Sequence, residues 1–155
     1  MNKEFKKRFC PHRGIGKENT LGSIRKALAT KPYLVEFDVQ LNNHSLYLGH
    51  PPALNTKATL DQALRLFAEA MAIPKIDLKI NSQTQVDAVD ELSKELKTWN
   101  PRLCLINIDG DVTSDSYMQA ETRLLENTSK STLLNIDLNR YRQKHILKSK
   151  TILRI

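Results

Sequence analysis

Apolar runs of strand length alternate with stretches of helical periodicity along most of the chain, the pattern of a parallel sheet built from βα units. Arg8 to His12 predicts a first strand, followed by a glycine-containing loop and a helix opened near Asn19 as N-cap. Leu21, Ile24, Ala27 and Leu28 form the buried face of that helix. Tyr33 to Val39 predicts a second strand, with a polar break at Asn42-Asn43 and a short extended piece, Leu46 to Leu48, stopped by Pro51 and Pro52. Thr59 to Ala72 carries Leu60, Ala63, Leu64 and Phe67 at helical spacing, and Ile73 to Ile80 predicts the third strand. Val86, Val89, Leu92 and Leu96 mark a helix closed before Pro101. Strand Leu103 to Ile108, a helix from Tyr117 to Leu125, strand Thr132 to Leu138 and an apolar patch at Thr151 to Ile155 continue the rhythm. The class is α/β.

Length and charge narrow this further. With 155 residues and 40% hydrophobic composition, the expectation is one domain spanning 1–155. The 24 Lys plus Arg against 17 Asp plus Glu leave a net charge of +7, which favours anionic partners without choosing among them. The excess is concentrated from Asn139 to Ile155, a stretch with no acid, read as a solvated face or a membrane-proximal patch. Met1 to Arg8 is charged and precedes no signal-like apolar segment, and no stretch has the ~20 apolar residues of a membrane span. Cys10 and Cys104 each sit in an apolar run and read as free thiols of a reducing, cytoplasmic protein.

Candidate chemistry lies where polar residues interrupt the strands. Glu36 and Asp38 alternate with Val35, Phe37 and Val39, so both carboxylates point to one face. Two buried anions repel unless a cation joins them, which suggests a hard metal such as Mg²⁺ or Ca²⁺; a structural ion pair with Arg13 or Lys79 is the alternative. Asp77 and Lys79 repeat the same two-residue spacing on the third strand. His12 and His50 end short strands and are the acid/base candidates, because imidazole takes up or releases a proton near neutrality. Arg13 offers a fork for phosphate oxygens and Gly14 a close backbone approach, while Glu18 is either a site-supporting acid or a first-turn carboxylate. His44 and His145 read as structural or surface residues, and Asp109-Gly110-Asp111 as a turn after the fourth strand.

His12-Arg13-Gly14, then Glu18-Asn19-Thr20, then the strand Val35-Glu36-Phe37-Asp38-Val39, then His50 at a strand end, resemble in order and spacing the signature of the glycerophosphodiester phosphodiesterases. The likeness spans Arg8 to roughly Ile80 and fades into a generic βα pattern beyond it. It implies a TIM-type (βα) barrel, a divalent cation held by Glu36, Asp38 and Asp77, phosphate contacts from Arg13 and Lys79, and acid/base catalysis by His12 and His50. The chain departs from the family in two places. Asp77 stands where the family has a longer glutamate, and Pro51-Pro52-Ala53-Leu54 replaces an Asp and a Thr-rich loop after the second histidine.

A complete barrel takes about 200–250 residues, so the expectation is an incomplete barrel of about five to six βα units. Such an open sheet would expose edges and favour a homo-oligomer. The expected activity is hydrolysis of a small, glycerol-based phosphodiester to glycerol 3-phosphate and an alcohol. The alternative is a non-catalytic remnant that binds anionic phosphate ligands.

Overall fold

The computed structural model describes residues 10–80, 85–99, 103–109, 115–127 and 132–135. The elements in chain order are α1 (Leu21–Ala29), β1 (Leu34–Asn42), β2 (Ser45–Leu48), β3 (Asn55–Thr59), α2 (Leu60–Ala68), β4 (Ile73–Lys79), α3 (Gln85–Trp99), β5 (Cys104–Asp109), α4 (Asp115–Asn127) and β6 (Thr132–Asn135). The strands form one six-stranded sheet in the order β3-β2-β1-β4-β5-β6. β1, β4, β5 and β6 run parallel, whereas β2 and β3 add an antiparallel edge.

This is an open mixed sheet, which corrects the incomplete TIM-type barrel of five to six βα units expected from the sequence. The reason lies in the connection after β1. Asn42 pairs with Ser45, leaving Asn43 and His44 as a two-residue turn, and both have positive φ, 47° and 59°. A turn with left-handed backbone at both central residues folds a strand straight back on its neighbour, so β2 is antiparallel to β1 rather than the start of another βα unit. His44 is thus a turn residue. Only the stretch from β3 to β6 alternates strand and helix.

Smaller differences follow. Residues 10–12 are not a strand, and Arg8 lies outside the described residues. β3 had no counterpart in the sequence reading, since Asn55-Thr56-Lys57-Ala58-Thr59 holds a single aliphatic residue. The apolar patch at Thr151–Ile155, His145 and the basic stretch also lie outside the described residues.

One face of the sheet makes the core. Val35, Phe37 and Val39 of β1, Ile76 and Leu78 of β4, and Cys104, Ile106 and Ile108 of β5 join Ile24, Phe67, Leu92 and Leu124 from the four helices in one buried cluster. Phe37 and Phe67 stack at a tilt with ring centroids 5.7 Å apart. Thr59 opens α2 with a capping box, its Oγ1 accepting from the Gln62 N–H at 3.3 Å while Gln62 Oε1 accepts from the Thr59 N–H at 3.1 Å. Cys104 and Cys10 are free thiols, and burial pushes the Cys104 thiol up to about 12. Because strand side chains alternate, burying this apolar set commits Glu36, Asp38, Lys75, Asp77, Lys79, Asn107 and Asp109 to the opposite face.

Candidate active site

The parallel register sets the polar face. Glu36 stands opposite Lys75, Asp38 opposite Asp77, and Gln40 opposite Lys79, while Asp77 faces Asn107 and Lys79 faces Asp109 on the other side. The result is a sheet of charge rather than three isolated acids. Asp38 is 1% exposed and Glu36 and Asp77 are each 8% exposed, so each needs a partner.

Each finds one. Glu36 Oε2 accepts from the Lys75 ammonium at 2.7 Å, and its Oε1 lies 3.0 Å from His12 Nε2. Asp38 Oδ2 accepts from Asn19 Nδ2 at 2.8 Å, and Asn19 Oδ1 in turn accepts from the Asp38 N–H at 2.9 Å. Arg13 Nε sits 2.7 Å from the same Asp38 oxygen, an ion pair whose angle does not make it a hydrogen bond. Lys79 Nζ donates to Asp77 Oδ2 at 2.8 Å and to Asp109 Oδ2 at 2.9 Å, and stands 3.4 Å from Asp38 Oδ1. Asp77 Oδ1 accepts from Asn107 Nδ2 at 2.8 Å. Burial pulls the Lys79 ammonium down, but hydrogen bonds to Asp77 and Asp109, reinforced by their charges, overcome it and hold the group above the ordinary lysine range.

The loop that brings in His12 and Arg13 is tied down at several points. Pro11 O accepts from the Glu36 N–H at 3.0 Å, which sets His12 beside Glu36, and Arg13 O accepts from the Asn19 N–H at 3.1 Å, which closes the loop. Arg13 and Asn19 both have left-handed backbone, φ 57° and 51°, a conformation that costs about 1–2 kcal/mol per residue outside glycine. Asn19 is therefore not the N-cap. That role falls to Thr20, whose Oγ1 accepts from the Ser23 N–H at 3.0 Å, leaving the Asn19 amide to hold Asp38. Glu18 accepts from Arg13 Nη1 at 3.0 Å and so supports the guanidinium.

Gly14 lies in the same loop with φ +83°, and a Cβ there would stand 2.5 Å from Ser23 Oγ and 2.7 Å from the Ser23 backbone carbon. Gly14→Ala is expected to destabilise the protein by about 1–3 kcal/mol, the usual range for overpacking. Thermal melts check this, and an unchanged melting temperature would mean that the loop is not pressed against α1.

His50 follows β2, where the Gly49 N–H donates to Asp38 O at 3.0 Å. Its Nδ1 is 2.8 Å from Pro51 O; a carbonyl can only accept, so Nδ1 donates and Nε2 is the ring nitrogen left to exchange a proton. His50 and Arg13 line one cleft with Lys17, Asn19 and Leu54, about 480 Å³ in volume. The structure thus joins Arg13, Asp38, Lys79 and Asp77 in one chain of contacts, pairs His12 with Glu36, and places His50 in the cleft that Arg13 also lines. The sequence reading missed Lys75, Asn107 and the pairing of Asp109. Asp109 is the last residue of β5 rather than a turn residue; Gly110 and Asp111 lie outside the described residues. The missed signal was polar alternation, Lys75-Asp77-Lys79 and Asn107-Asp109, spaced by two within apolar strands.

The donor set for a divalent cation is a poor fit as placed. Among the described residues, no three His, Cys, Asp or Glu side chains are grouped so as to hold a metal ion, because the carboxylates of Glu36, Asp38 and Asp77 turn to lysine, arginine and amide groups instead of to a common point.

No family model matches the chain, and no curated protein does. Among solved structures, the chain is similar to a phosphodiesterase of Oleispira antarctica determined in complex with its product sn-glycerol-3-phosphate. The TM-score is 0.67 at 17% identity, over 86% of this chain and 67% of that one. A likeness at that identity establishes a shared fold.

Proposed function

We propose that the chain hydrolyses a glycerophosphodiester to glycerol 3-phosphate and an alcohol, with His12 and His50 as the acid/base pair. The observation that carries the reading is the pair of differently held imidazoles, His12 on Glu36 and His50 on a backbone carbonyl, with Arg13 next to His12 in the chain and lining one cleft with His50. The phosphodiesterase of like fold, bound to sn-glycerol-3-phosphate, supports the substrate class. In open α/β sheets ligands bind at the carboxyl ends of the parallel strands, which is where Lys79 and Asp109 lie.

In this reading His50 Nε2 takes a proton from water as its oxygen bonds to phosphorus. The bond from phosphorus to the leaving alkoxide breaks, and the His12 imidazolium, steadied by Glu36, delivers its proton to that oxygen. Arg13 faces the non-bridging oxygens, whose negative charge grows toward the transition state, while Lys79 balances Asp38, Asp77 and Asp109 behind it. Asp38 and Asn19 fix the Arg13 loop, so their part is positioning.

The test is release of glycerol 3-phosphate from a purified glycerophosphodiester by the full chain, with chelator and with added Mg²⁺ or Ca²⁺. Turnover above buffer is expected in at least one condition; none in any condition ends the reading. A second reading, a phosphate-binding protein without turnover, draws support from the balanced charges of the site and from the two departures at Asp77 and after His50. It predicts binding of inorganic phosphate alone.

A further inference from the structure

We propose that the Lys75 ammonium is a built-in cation that takes the place of a divalent metal at Glu36, so that the site handles a phosphate ester without added metal; the second half rests on the function proposed above. Three observations carry it. First, all the oxygens of the three candidate metal ligands already face a donor. Glu36 Oε1 and Oε2 meet His12 and Lys75, Asp38 Oδ1 and Oδ2 meet Lys79 and Asn19, and Asp77 Oδ1 and Oδ2 meet Asn107 and Lys79, none farther than 3.4 Å. A hard cation takes about six to eight oxygen ligands, waters among them, and needs at least one or two carboxylates free to turn toward it.

Second, Lys75 is fixed in place by the sheet. Its Cα stands directly opposite that of Glu36 in the parallel register of β1 and β4, so the register that aligns Asp38 with Asp77 also keeps its ammonium within reach of that carboxylate. A doubly charged ion bound by Glu36 would have this ammonium as its immediate neighbour, and like charges repel most where water is scarce.

Third, the lysines of the site are not equivalent. Lys79 is 10% exposed and is enclosed by Asp38, Asp77 and Asp109, which consume its charge. Lys75 pairs with Glu36 and its side chain is 26% exposed, so it has a single carboxylate anchor and is the more open of the two to an incoming anion. An ammonium presents a compact point charge with several donors, enough to meet Glu36 and a phosphate oxygen together.

Calorimetric titration of the purified full chain with Mg²⁺ and with Ca²⁺ decides the matter. The wild-type protein is expected to show no binding tighter than millimolar, whereas Lys75→Gln is expected to bind at least about tenfold more tightly. Lys75→Arg, which retains the charge, is expected to stay like wild type. Sub-millimolar binding by the wild-type chain overturns the inference, a result that does not depend on any variant folding. So does a folded Lys75→Gln, checked by circular dichroism, that binds no better than wild type. A chelator that abolishes hydrolysis would refute metal independence while leaving the proposed reaction standing. Absence of hydrolysis in every condition would refute the reaction while the titrations still judged the role of Lys75.

Discussion

Lys79→Met is expected to destabilise the protein by about 3 kcal/mol, the lower end of the cost of stranding one partner of a buried ion pair. The wild-type ammonium is shared among Asp38, Asp77 and Asp109, and methionine would occupy a similar volume with no charge and no donor. Asp77 would keep the Asn107 amide, and Asp38 would keep Asn19 and the Arg13 guanidinium. Those remaining partners are why the estimate stays at the lower end. For a domain of this size, about 2–4 °C per kcal/mol makes the expected fall in melting temperature about 6–12 °C.

The pH dependence has a definite sign. The ammonium is held above its ordinary value of 10.5 in the folded chain, so its contribution is complete below the unfolded value and is lost as pH rises through the folded one. The deficit of Lys79→Met is therefore expected to be constant from neutral pH up to the lysine range and to shrink above it. A denaturation series at several pH values checks this. A variant as stable as wild type at neutral pH would show that the four groups are not packed together as described.

The alternation of Val35, Phe37 and Val39 with Glu36 and Asp38 was legible because a strand sorts its side chains by parity, whatever its neighbours are. Helical spacing did the same for the first three helices, whose apolar faces, such as Leu60, Ala63, Leu64 and Phe67 of α2, are the ones turned to the core. What parity does not reveal is the partner of each strand. Asn42-Asn43 reads equally as a loop or as a tight turn, and only the backbone at Asn43 and His44 decides that β2 returns beside β1. That local choice turned what read as a short extended piece into an antiparallel edge of two strands, so the sheet is mixed rather than built wholly of βα units. The site followed the same division. Asp38 and Asp77 on one face were readable from spacing, but Lys75 opposite Glu36 is a matter of register between strands 39 residues apart in the chain. Asn19 was mistaken for a cap because Asn suits either a cap or a left-handed bend, and Thr20 could serve as the cap in its place.

His12→Ala and His50→Ala are each expected to lower turnover of a glycerophosphodiester by about 10²- to 10⁴-fold, the usual contribution of a positioned general acid or base. Stability should barely change, within about 0.5 kcal/mol, because the His12 side chain is 57% exposed and His50 is only partly buried. The two losses should not add. Water attack and alkoxide departure are halves of one displacement, so once either proton transfer fails the other has little left to accelerate, and the double variant should be nearly as active as the worse single one. Glu36→Gln separates orientation from charge. It preserves an acceptor for His12 but removes the negative partner of an imidazolium, so it should depress turnover less than His12→Ala. If each histidine variant retained wild-type turnover, proton transfer at these two rings would have no part in the reaction, and the cleft beside Arg13 would be left with phosphate binding as its role.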